Sequence, residues 1–110
     1  MELTRVEIFK AMNSRDVANV KECEGEILHP VAFHTHEYEG TDEKTHAVLV
    51  IKDGKSGNLY KSETKNFIQK FLAYDEAFGT LPDEEKPKII IKLNTSKKGN
   101  KYSDFDVVDN

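Results

Sequence analysis

The sequence contains no tryptophan, a single cysteine and only three prolines. No apolar run nears the roughly 20 residues of a membrane-spanning helix. Each shortage excludes something. With Cys23 alone, no internal disulfide can form, which fits a reducing compartment. Its neighbours Glu22 and Glu24 oppose a thiolate, which argues against a nucleophilic role. The first residues lack the basic-then-apolar pattern of a secretion signal, so a cytoplasmic protein without a membrane segment is expected. There is no nucleophile elbow, no Gly-rich phosphate loop and no zinc-deaminase signature. The expectation is a non-catalytic protein with no cofactor.

What is there is charge. The 110 residues suit one domain, with 33% charged and 37% apolar residues. Sixteen Lys and Arg against twenty Asp and Glu leave a net charge of −4. The first half carries the excess of acid, and residues 53–110 are balanced. A global field that attracts polyanions is therefore absent, and any nucleic-acid site must be a local patch. One such patch exists. Between Lys86 and Tyr102 the chain holds six lysines and no acid.

Thr4-Arg5-Val6-Glu7 has the capping-box pattern and predicts a short helix through Met12. Ser14 to Glu26 is expected to start irregular, anchored by Val17 and Val20. Glu26 to Tyr38 reads as a long strand with Ile27, Val31, Phe33 and Thr35 inward, bent or bulged at Pro30. Glu39 to Lys44 is an acidic turn around Gly40. Thr45 to Lys52, apolar on both faces, reads as a central strand. Leu59-Tyr60-Lys61 returns from a turn at Asp53 to Asn58. A helix capped by Ser62 or Thr64 follows, with Phe67, Phe71, Tyr74 and Phe78 on one stripe, Ile68 and Leu72 beside them, and Gly79 past its end. After an acidic loop, Thr80 to Pro87, the strands Lys88–Asn94 and Lys101–Val108 flank a turn at Thr95–Asn100. Gly99 and Asn100 there suit positive φ.

Three strands, a helix and two strands predict a mainly β protein. The expected fold is an OB-fold, a five-stranded antiparallel barrel with the helix between strands three and four. Residues 1–110 form one domain, with 1–24 as helix and lead-in and 25–108 as barrel. The loops 39–44 and 95–100 then flank the ligand face.

On that frame, Lys92, Lys97, Lys98 and Lys101 would neutralise phosphates and Tyr102 would stack a base. The alternative is a solvated turn whose lysines discourage edge pairing. Tyr60 and Lys61 on the third strand offer a second platform, or Tyr60 is a buried aromatic. Phe33 reads as core, and Tyr38 opens toward the loop. His34 and His36 share one strand face. They would line the groove, where mild acid should strengthen binding, or else form an exposed polar face. As metal ligands they lack a second tight cluster. Asp104 and Asp106 read as the outer face of the last strand rather than a nuclease pair.

The order of several short pieces resembles the small OB-fold single-stranded DNA-binding proteins of phages and mobile elements of Gram-positive bacteria. The pieces are Asn13-Ser14-Arg15-Asp16, Gly25-Glu26-Ile27, His46 to Asp53 before Leu59-Tyr60, Ser62 to Phe71, and Ser96-Lys97-Lys98-Gly99-Asn100-Lys101-Tyr102. The resemblance implies sequence-tolerant binding of single-stranded DNA during replication or recombination, in the host cytoplasm. Many single-strand binders end in a detached acidic tail with a terminal aromatic; here the last strand runs straight to Asp109-Asn110. Self-association, and contact with replication or recombination proteins, stay open as partners. The alternative function is an acidic protein-interaction module that binds or inhibits a replication or host partner.

Overall fold

A computed structural model describes residues 3–13, 17–39, 41 and 45–108, without the side chains of Met12, Asn13 and Tyr38. Four sequence features fall outside the described residues: the segment 14–16, the turn residues Gly40 and 42–44, the Tyr38 side chain and the terminal Asp109-Asn110.

The chain is mainly β. Helix α1 (Arg5–Asn13) is followed by β1 (Ala18–Asn19), a 3-10 turn (Val20–Glu22), β2 (Ile27–Leu28), β3 (Pro30–Glu39), β4 (Thr45–Asp53) and β5 (Leu59–Ser62). Helix α2 (Lys65–Phe78), a second 3-10 turn (Asp83–Glu85), β6 (Lys88–Thr95) and β7 (Lys101–Val108) complete it. The strands form two sheets, ordered β1-β5-β4-β3 and β2-β6-β7.

Of the expected barrel of five antiparallel strands, the structure shows the mainly β make-up and not a closed barrel. No closed ring forms among the described residues, because β5 and β7 do not pair. The segment between them is the reason. β1 takes the edge of β5 in parallel register, Ala18 opposite Tyr60, and the 3-10 turn after it touches both β5 and β7. The stretch read as irregular therefore fills the seam, with Val20 wholly buried.

The first strand bends where expected. β2 pairs with β6, the chain turns at His29, and β3 pairs with β4, with a register shift between Pro30 and Ala32. One continuous stretch thus serves both sheets. The bend also resets the inward positions, since a one-residue slip moves every side chain to the other face. Ile27, read as inward, is 54% exposed, while its neighbour Leu28 is 1% exposed. Asp53 holds the corner. Its carboxylate accepts from the His29 and Ser56 amides and the Ser56 hydroxyl, at 2.9, 3.2 and 2.7 Å. Burial pushes this carboxyl up, but those hydrogen bonds outweigh it and the net shift is downward.

The main core lies between the sheets and α2. Phe67, Phe71 and Phe105 are almost fully buried, with Phe67 and Phe105 edge to face at 5.0 Å. The aromatic stripe of α2 is this core's plug; Leu72, expected beside it, is outside and exposed. Thr64 is the N-cap, but its hydroxyl accepts from Ser103 instead of capping, which ties α2 to β7 at 3.1 Å. Tyr74 donates to the Pro87 carbonyl at 2.6 Å, and burial raises its phenol to about 12.

β4 is central and buried on both faces, as its composition predicts. Leu49 and Ile51 face the main core. Val48 and Val50 face the other way, into a smaller cluster with Ala32, Leu3 and Ala11. α1 covers that face. Its capping box is formed in both directions, Glu7 N to Thr4 Oγ1 at 3.1 Å and Thr4 N to Glu7 Oε1 at 3.0 Å.

Candidate nucleic-acid interface

The β6–β7 hairpin sorts its lysines by register. Lys92 lies opposite Asp104, Ile90 opposite Asp106 and Asn94 opposite Tyr102, so these side chains share one face. Lys92 Nζ reaches both oxygens of Asp106, at 2.9 and 3.0 Å, and lies 4.0 Å from Asp104. The hydrogen bond to Asp106 chiefly holds the ammonium above the usual lysine range. Asp104 is shared further. It accepts from Lys70 Nζ at 2.9 Å and from Asn94 Nδ2 at 2.8 Å. Burial would raise the Asp104 carboxyl, but Lys70, the Phe105 amide and Lys92 together bring it below the usual carboxylate range. Lys70 also donates to the Phe105 carbonyl at 2.6 Å, with Nζ 5.1 Å from the Phe105 ring centre. The body of the hairpin is therefore an internally neutralised network.

The tip is different. Ser96 N donates to Asn100 O and Gly99 N to Ser96 O, and Gly99 takes φ 85° to close the turn. Lys97 and Lys98 stand on this turn, and Lys101 opens β7 beside it; all are exposed. None makes an ion pair with a described residue. Tyr102, half-buried, follows directly. The expected cationic patch is thus reduced to Lys97, Lys98 and Lys101, because the register gives Lys92 to the acids of the partner strand.

A second group lies on the outer face of the other sheet. His34 is opposite Val50 on β4, and Val50 is opposite Lys61 on β5. With strands about 4.8 Å apart, His34 and Lys61 are about 10 Å apart across this face. The His34 and His36 rings stand near-parallel with centres 6.4 Å apart. Tyr60 points the opposite way. It is 8% exposed in the main core, and burial leads the upward shift of its phenol. It is not a stacking platform: odd and even positions of a strand face opposite sides, and Lys61 holds the outer one. Phe33 is core-side as read, edge to face with Phe71 at 5.3 Å.

Three residues of these faces were not among the expected site residues. Lys52 and His46 belong to the outer face, since Lys52 pairs with Ala32 and His46 with Tyr38. Asn94 is fixed by Asp104 on the hairpin face. Counting alternate positions either way from Val50 would have found the first two; the third needs the β6–β7 register.

Two other candidate chemistries receive no support. Among the described residues no group of three or more His, Cys, Asp or Glu could hold a metal ion. Cys23 is buried and donates to the Asn19 carbonyl, and desolvation, then Glu26, push its thiol up to about 12. No helix among the described residues is long and apolar enough to cross a membrane.

Comparisons with protein-family models, with curated proteins and with solved structures found no match.

Proposed function

We propose that this chain is a non-catalytic, sequence-tolerant single-stranded DNA-binding protein of a phage or mobile element, acting in replication or recombination in the host cytoplasm. The observation that carries the reading is the hairpin tip. Lys97, Lys98 and Lys101 are exposed, without ion pairs among the described residues, next to Tyr102. Such a group neutralises backbone phosphates and stacks a base without reading its identity. Stacking on Tyr102 would contribute roughly 1–3 kcal/mol.

The finer fold reading is that of an open OB-type barrel. A first strand bent between two sheets and a helix between β5 and β6 support it. The ligand face of that fold is the outer side of its second and third strands. Here that side is β4–β5, where Lys61 lies across from His34 and His36.

The second reading, a protein-interaction module, has its own support in the acidic balance and in Val6 and Phe9, 63% and 68% exposed on α1. Fluorescence anisotropy with labelled single-stranded and duplex oligonucleotides at low and moderate salt separates the two. Binding to the single strand, stronger than to duplex and weakened by salt, is the expected result. No binding to either at low salt would leave the interaction module.

A further inference from the structure

The proposed nucleic-acid face is already occupied. A strand crossing from His34 and His36 to Lys61 must pass over Val48 and Val50, their neighbours on β4. Those two valines are 4% and 0% exposed, beneath Leu3 and Ala11. The cluster they form is separate from the main core. α1 is also tied down by charge: Glu7 Oε2 lies 2.8 Å from Lys52 Nζ on the same face. A carboxylate thus sits on a lysine where a phosphate oxygen would otherwise be attracted.

The tether is slight. α1 has nine residues, fewer than a helix needs to persist without tertiary support. The Glu7 and Lys52 side chains keep 22% and 31% of their exposure, so water screens the pair. Elements held by few contacts are those that open below the global unfolding free energy.

We propose that α1 is a displaceable cover on the nucleic-acid face, with Glu7 standing on Lys52 in place of a phosphate, and that single-stranded DNA binds by displacing it. This rests on the single-strand reading above. The strand passes on the Lys61 side of Lys52. On the other side lies a cleft of about 470 Å³, where Glu7, Asp53, Asp83 and Glu84 outnumber Lys52 and His29, a balance that disfavours phosphate. Closure of the cover lowers apparent affinity by the fraction of molecules that are closed.

The test uses the full chain and an oligothymidylate. Amide hydrogen exchange is followed over α1 with and without the oligonucleotide, and affinity is compared for wild type, Glu7→Gln and Glu24→Gln. Glutamine keeps the capping bond to Thr4 and removes only the charge. Glu24→Gln, on an exposed turn, makes the same change in net charge away from α1. The expected results are faster exchange of α1 in the complex, and a gain of about two- to fivefold for Glu7→Gln that Glu24→Gln does not match. Wild-type binding with α1 exchange unchanged or slowed overturns the cover and leaves the single-strand reading intact. Equal gains for the two variants also overturn the cover, as a net-charge effect. Failure of both wild type and Glu7→Gln to bind at low salt overturns the single-strand reading and the cover with it.

Discussion

Lys92 and Lys98 belong to the same hairpin, and their charges have different fates. Lys92 is held by Asp106 and lies near Asp104, across a register that sets acids against it. Lys98, on the turn, has no acid opposite and makes no ion pair with a described residue. A count of lysines along the chain treats the two alike. Available charge depends on the partner strand: in the body of a hairpin every side chain has a cross-strand neighbour, and on the turn it has none. The body is built for stability and the tip is left for a ligand.

The largest expected effect tests the body. Phe71 packs on Phe33 and Phe105, and Phe105 anchors β7 beneath the network of Asp104 and Lys70. Phe71→Ala should cost roughly 3–5 kcal/mol in denaturant unfolding. Replacing Lys97, Lys98 and Lys101 together by Ala should change stability by no more than about 0.5 kcal/mol. A mild loss for Phe71→Ala would make α2 peripheral and dissolve the contrast between body and tip.

The next effect tests the tip through salt. Each phosphate contact on a single strand adds about 0.7 to the slope of log affinity against log salt. The triple replacement should therefore flatten the slope by about 2, while Lys92→Ala leaves it nearly unchanged. A loss of about 0.7 for Lys92→Ala, as much per lysine as at the tip, would mean that Asp106 yields Lys92 to phosphate and that the body is no less available than the tip.

How much of this was legible follows the same division between local and cross-strand information. The Thr4–Glu7 capping box, the stripe from Phe67 to Tyr74, the Gly99 turn and the bend near Pro30 were readable, since each is written in residues a few positions apart. Lys97, Lys98 and Lys101 were readable as exposed for that reason. Phe33's inward place was readable too, but that of Leu28 in place of Ile27 was not, because the bulge between Pro30 and Ala32 resets the alternation. Nor was the loss of Lys92 to Asp106, or Tyr60's place in the core, since both depend on which residue stands opposite. Val20 was readable as an anchor, but the seam it fills with Ala18 was hidden by a polar stretch with little periodicity. The cover formed by α1 depends on where a helix docks, which its own nine residues do not state.

Acid should erode the body before it touches the tip. Asp53 and Asp104 both have folded pKa values below the ordinary carboxylate range. The unfolded chain then binds more protons in that region, so stability rises with pH there. Their contribution is complete above the unfolded carboxylate value of about 3.9 and is lost as pH falls through the lower folded values. Urea midpoints measured from pH 6 down to about pH 2.5 should fall steeply for wild type and less steeply for Asp104→Asn. Parallel curves would mean that Lys70 and Asn94 stabilise the folded protein no more when Asp104 is ionised than when it is neutral.

The smallest effect turns the comparison around. If Lys92 is silent only because Asp106 holds it, removing that carboxylate should make a body lysine behave like a tip lysine. Asp106→Asn removes the charge and one of the two acceptor oxygens, and leaves Asp104 at 4.0 Å, already shared with Lys70 and Asn94. Asp106 is on the exposed side of β7, so its replacement should leave the fold and its stability almost unchanged. The salt slope for single-stranded DNA should then steepen by up to about 0.7, one phosphate contact. Adding Lys92→Ala to Asp106→Asn should return it to the wild-type value. A slope that steepens as much in the double variant would assign the gain to lost acid repulsion, and Lys92 would be too far from the strand's path to matter.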